Sequence, residues 1–368
     1  MEVFKINKDR GIKLRLIRYF LSRQWYPFME VDIYSREGVS KSRKLITDID
    51  VIALFPSITG KLEPILGDCK TLKNQSPIAR ALWMRGLMAC ISAKQGLIVL
   101  EKNIEKDHKS VANDLDVNLL SLSDFENFAS KTSNQYNELN SALSIGENWD
   151  NYFNIPSKFP KLNSAIEYSK RNFWNQPGPN TRLRHTLAVL KEFKSELNPD
   201  HELHIALLLD IVSLFAIALN EVVCSTFNQY LVPVSKDELS DELKVILWDG
   251  IENYNYWNDL RKRLFNQEEP SVSDLSLPEW NSFIQLVRNC LDEPMATSLA
   301  PLILKEVAFE FLTEDTKRSS LTFSKKLVNE NPQAARFAIL TLEYICKVAK
   351  LPPEFYEIGS TRLINLQL

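Results

Sequence analysis

The sequence predicts a mixed α/β front followed by an all-helical rear. Three observations carry that reading. Residues 1–130 switch between the two-residue alternation of strands and the 3.6-residue period of helices. Beyond about residue 131 the strand signals stop, and long helical periods follow, separated by Pro and Asn clusters. Only ten glycines occur in 368 residues, so few positions can demand a positive φ, which disfavours a many-turned all-β chain.

Asp9 to Arg23 reads as a helix with Ile12, Leu16, Tyr19 and Phe20 on its apolar side and Lys13, Arg15 and Arg18 elsewhere. Trp25 to Tyr34 alternates as a strand, with Met29, Val31 and Ile33 on one face and Glu30 and Asp32 on the other, expected to face solvent. Residues 35–43 form a polar turn around Gly38. Lys44 to Phe55 and Pro64 to Leu72 are two further strands, joined by a turn at 56–61. Three strands in succession with short connections predict an antiparallel meander. Ser76 before Pro77 is a helix start, a capping serine with proline at the first helical position. Gly96 to Glu101 is a short buried strand, Glu105 to Asp116 a helix and Asn118 to Leu122 a last strand. Ser123 and Glu126 match a capping box that opens one more helix.

The rear predicts nine helices, at about 161–175, 180–197, 200–231, 236–248, 251–265, 278–292, 295–314, 319–330 and 332–350. The domain division expected is 1–130, a linker or connecting helix 131–160, and 161–368 as a helical domain for partner binding, sensing or self-association. The apolar stretch Leu203 to Val223 is broken by His204, Asp210, Ser213 and Asn220. That favours a buried helix over a membrane span, which wants about 20 residues with few or no charges. With no apolar signal segment at the start, a cytoplasmic location is the expectation.

Composition excludes several function classes. Five scattered cysteines without a CxxC pair give neither a disulfide framework nor a zinc knuckle. Four histidines leave metal chemistry mostly to oxygen ligands. His201 and His204 lack a third ligand at helical spacing, so capping and surface roles are expected of them. No phosphate-binding glycine motif occurs. The net charge of −3 hides an asymmetry. Residues 1–110 carry 20 Lys and Arg against 12 Asp and Glu, and residues 111–368 carry 24 against 35. A basic front attracts polyanions and an acidic rear repels them. Tyr254, Tyr256 and Trp257 are expected in the core rather than on a base-stacking surface, and Arg15, Arg18 and Arg23 on a solvated face.

The chemistry concentrates in two strands. Asp48 and Asp50 share a face with Ile46, Ile52 and Leu54, and Asp68 and Lys70 lie on one face between Leu66 and Leu72. A charge in an apolar strand costs several kcal/mol unless it is paired or bound to a metal. Two aspartates on neighbouring strands, with the backbone carbonyl of Cys69, could hold a Mg²⁺ ion, a hard cation that takes oxygen ligands. Asp48 is a further candidate ligand. Lys70 would sit beside the attacking water and offset phosphate charge. Lys73, Gln75 and Ser76 lead into a helix N-terminus, where free amides favour phosphate, and Arg80 follows within that helix.

Asp50 followed 18 residues on by Asp68-Cys69-Lys70 resembles the PD-(D/E)xK motif of the restriction-endonuclease-like nuclease superfamily. The later elements look like those of Mrr-type restriction enzymes. The resemblance covers about one third of the chain. It implies an α/β restriction-endonuclease-like domain (α-βββ-α-β-α-β) followed by an all-α helical domain. It also implies a metal-dependent nuclease using Mg²⁺, with Mn²⁺ as a substitute, acting on DNA in preference to RNA, in restriction or antiviral defence. By that resemblance Asp50 and Asp68 are the metal carboxylates and Lys70 the catalytic lysine. One departure stands out. Many relatives carry a metal-reaching glutamate in the first helix, and Gly11 to Arg23 offers no acid; Glu30 or Asp32 could substitute for it, though their strand face favours solvent. The alternative is a catalytically silent nuclease fold kept for nucleic-acid binding or scaffolding.

Overall fold

In the computed structural model, which describes residues 9–35, 44–70, 76–233, 235–264 and 275–367, the front of the chain is one five-stranded mixed sheet. Helix α1 (Arg10–Ser22) precedes β1 (Tyr26–Tyr34), β2 (Leu45–Pro56) and β3 (Leu62–Lys70). Helix α2 (Pro77–Ile91), β4 (Gln95–Leu100), α3 (Lys106–Asn113), β5 (Val117–Ser121) and α4 (Leu122–Thr132) follow. The strand order is β1-β2-β3-β4-β5. The first three pair antiparallel, as the short connections require, and β3-β4-β5 run parallel through helical crossovers.

Local chemistry sets the boundaries. Ser76 caps α2 by accepting from the Ala79 amide, with Pro77 in the first turn. The expected capping box at Ser123 and Glu126 is corrected. The strand ends at Ser121, whose hydroxyl takes the Asp124 amide while the Asp124 carboxylate returns to the Ser121 amide. Gly67 lets α1 close on the sheet. A Cβ there would strike the Leu16 side chain and stand 3.2 Å from the Val51 carbonyl oxygen. Leu16 is fully buried, so Gly67→Ala is expected to lose about 1–3 kcal/mol by overpacking, read as a lower midpoint in urea unfolding.

The rear of the chain is helical and wraps the long helix Glu202–Tyr230, which packs most extensively against Ala300–Glu310. By length and composition Glu202–Tyr230 is apolar enough to cross a bilayer, and here it is almost wholly buried inside the protein. Gly146–Phe153 supplies a helix in the segment 131–160, where a linker or connecting helix was expected, and its Trp149 and Tyr152 are fully buried. Pro353–Asn365, beyond the last expected helix at 332–350, begins at the Pro352-Pro353 pair, because proline suits the first turn of a helix.

The sheet and the helical region share one core. Lys305 and Asp210, both with no exposed surface, form an ion pair at the centre. Tyr152 and Ser169 also donate to Asp210. Four aromatic rings surround the Lys305 ammonium: Phe28 at 4.2 Å, Tyr152 and Phe309 at 4.9 Å, and Trp149 at 5.3 Å. Phe28 belongs to β1 and the others to the helical region. Four hydrogen bonds strengthen the joint. The Tyr26 hydroxyl lies 3.1 Å from Ser213 Oγ. The Tyr34 amide donates to Asn175 Oδ1, covering the edge of β1. Asn220 receives the Leu62 amide and donates to the Gly60 carbonyl, docking the β2–β3 turn.

Candidate functional site

The candidate residues sit where β2 and β3 part. Val51 pairs with Gly67, which sets Asp50 and Asp68 opposite one another one step further along. Both are buried, at 2% and 3% exposure. Lys70, at the end of β3, places its ammonium 3.3 Å from Asp50 Oδ2 and 3.8 Å from Asp68 Oδ1. The three residues expected to act together therefore do meet. The Cys69 amide donates to Asp50 Oδ2 at 2.7 Å. A strand residue's N–H and C=O point to the same side, so the Cys69 carbonyl also faces β2. The Cys69 thiol is pushed far up in pKa by burial and by the two carboxylates, and stays protonated.

Two further cations close on the aspartates. Lys13, on α1, stands 2.8 Å from Asp50 Oδ1 and also pairs with Glu30 of β1. Arg80, on α2, grips Asp68 with Nε at 2.6 Å and with Nη2, and stacks its guanidinium 3.7 Å from the Trp83 ring centre. Arg80 was expected at a nucleic-acid surface; here it binds a site carboxylate. Three acids thus face three cations.

The environments split the two aspartates. Burial would raise the Asp50 carboxyl, but Lys13, Lys70 and the Cys69 amide outweigh it and hold it below its ordinary value. Burial raises Asp68, and the Arg80 hydrogen bonds only partly offset it. Lys70 is held charged, since its two carboxylate neighbours outweigh the burial that would lower it. A charged lysine orients water and offsets phosphate charge but does not accept a proton.

Other expected residues are placed differently. Asp48 is exposed and pairs in register with Asp32 across β1–β2. Ser76 is exposed and spends its hydroxyl on the α2 cap. Lys73 and Gln75 lie outside the described residues. Glu30 and Asp32 were expected in solvent and are not. The helical region covers that face of β1, so Asp32 is 6% exposed and paired with Arg171 at 2.6 Å and Lys170 at 3.7 Å. Arg18 is no solvated charge, for it donates to the carbonyls of Tyr136, Asn137 and Leu139. His204 is buried, its Nδ1 accepting from the Asn198 amide. Tyr254 is core, but Tyr256 and Trp257 are exposed.

Sequence reasoning missed Lys13 and named Glu30 as a substitute acid while setting it in solvent. The signal for Lys13 was present, since Lys13, Leu16, Ile17 and Phe20 fall at i, i+3, i+4 and i+7, and all four are buried. Glu30 carries a left-handed backbone, φ +59°, inside a strand. That conformation costs on the order of 1–3 kcal/mol and has no sequence signature.

The oxygen donors suit a hard divalent cation in kind. Asp50, Asp68 and the Cys69 carbonyl are the sort of set Mg²⁺ takes, with water completing the shell. Among the described residues no three His, Cys, Asp or Glu side chains converge as a ready-made metal cage. Compared with family models, with curated proteins and with solved structures, the chain matches none at a significant level.

Proposed function

We propose that the chain is a metal-dependent nuclease whose sheet domain has a restriction-endonuclease-like fold. The observation that carries this reading is the meeting of Asp50, Asp68 and Lys70 at the parting of two strands, with Lys70 within 4 Å of both carboxylates. Asp50, Asp68 and the Cys69 carbonyl would hold Mg²⁺ or Mn²⁺, which when bound makes water a nucleophile at neutral pH and stabilises phosphate charge. Lys70, kept cationic, orients that water and offsets charge on the scissile phosphate. Arg80 anchors Asp68 against Trp83. DNA is the favoured substrate, by the resemblance alone, and a restriction or defence setting rests on the same ground.

Asp50→Asn and Asp68→Asn are each expected to abolish cleavage of plasmid, linear and single-stranded substrates in Mg²⁺ or Mn²⁺, while the circular-dichroism spectrum is kept. Full activity in either variant removes the site assignment.

One observation favours a second reading, a silent nuclease fold that binds nucleic acid. Lys13 and Arg80 already neutralise the two aspartates. In that case the wild type cuts nothing with any divalent metal, yet binds nucleic acid with a steep loss at high salt.

A further inference from the structure

We propose that the Lys13 ammonium is the resident occupant of the cation position between Asp50 and Glu30, so that a divalent metal enters only by displacing it. The inference rests on the reading of Asp50 as a metal ligand. Lys13 lies on the buried stripe of α1, and its side chain is 8% exposed. Its ammonium bonds Asp50 Oδ1 and the Glu30 carboxylate together. Asp50 Oδ2 is taken by the Cys69 amide and Lys70. Three of the four lone-pair sites of the Asp50 carboxylate are therefore in use, and the Oδ1 side is held by one flexible side chain whose positive charge also repels a cation there.

The other two cations are differently placed. Arg80 holds Asp68 through a planar, two-pronged contact backed by Trp83, a geometry that resists exchange. Lys70 spans both aspartates at longer range. A lysine arm has four rotatable carbons and a compact charge, so Lys13 is the group that can withdraw. Glu30 gives that position its second acid. It comes from β1, reaching α1 from a left-handed backbone. The first helix thus contributes a cation at the place where an acid was expected from the resemblance, and the neighbouring strand contributes the acid.

Removing the ammonium leaves Asp50 and Glu30 with unmet negative charge that a metal would satisfy. The test is a Mn²⁺ titration of the full chain, followed through the electron-spin resonance of free Mn²⁺. Lys13→Gln is expected to bind Mn²⁺ about tenfold or more tightly than the wild type, because one neighbouring positive charge has gone. Asp50→Asn added to that variant removes the gain. Should Lys13→Gln fail to fold, Lys13→Arg keeps the charge but grips the two carboxylates with a fork that resists exchange, so Mn²⁺ binding is expected to weaken severalfold. Unchanged or weaker Mn²⁺ affinity in folded Lys13→Gln, or unchanged affinity in Lys13→Arg, overturns the proposal. Cleavage separates it from the reading beneath it. Tighter Mn²⁺ binding with no cut nucleic acid keeps the Lys13 proposal and discards hydrolysis. Cleavage by the wild type with no gain of affinity in the variant does the reverse.

Discussion

Lys305→Met is expected to lower stability by about 3–5 kcal/mol, the cost of stranding a buried charge. Asp210 has no exposed surface, and without the ammonium it keeps only the hydroxyls of Tyr152 and Ser169. The ring contacts of Phe28, Trp149, Tyr152 and Phe309 with the cation disappear as well. Replacing both members by apolar residues, Lys305→Met with Asp210→Leu, is expected to recover part of the loss, because no charge then remains to desolvate. Urea unfolding of the single and double variants reads this directly. A loss under about 1 kcal/mol in Lys305→Met would mean that Asp210 is not left stranded without the ammonium.

Lys70→Ala is expected to cut the rate of cleavage by about 100-fold or more while nucleic-acid affinity changes little. A group that offsets charge developing in the transition state commonly contributes on that order. One lysine among the basic residues of the front makes at most one phosphate contact in the bound state. Folding should hold, since Asp50 keeps Lys13 and the Cys69 amide, and Asp68 keeps Arg80. Gel assays of cut and bound fractions for both proteins separate the two effects. If the wild type cuts nothing and Lys70→Ala weakens binding, Lys70 is a phosphate anchor on a silent fold.

The sheet was legible in the sequence because a two-residue period survives in β1, β2 and β3, and because Ser76-Pro77 marks a helix start. Asp50, Asp68 and Lys70 were legible because charges in apolar strands demand a reason. What surrounds them was not. Lys13 was assigned to the outer side of α1 through a one-residue choice of stripe, 12-16-19-20 against 13-16-17-20. Glu30 and Asp32 look solvent-facing by alternation, but Lys13 of α1 pairs with Glu30, and the helical region, packed from more than 100 residues away, buries Asp32. Periodicity describes one element at a time, and burial of a strand's second face is a property of two. The helix at Gly146–Phe153 could be foreseen only as a linker or connecting helix somewhere in 131–160, for the same reason. Its short length gives little period, and its aromatic residues are placed by Phe28 and Phe309.

The ring of Phe28 beside Lys305 has a consequence for how this chain can change over generations. A module that is shuffled between proteins needs a seam with few dependencies, and the chain at residue 130 offers none. A segment ending there would carry Tyr26, Phe28 and Asp32 into a host lacking Ser213, Lys305 and Arg171. The recipient would gain an exposed aromatic and an unpaired acid, and the donor would keep a lysine in a half-open cage. Inheritance of the sheet without its helices is therefore penalised. Drift at Phe28 is tied to drift at Lys305 and Asp210, so substitutions at these three positions are expected to travel together.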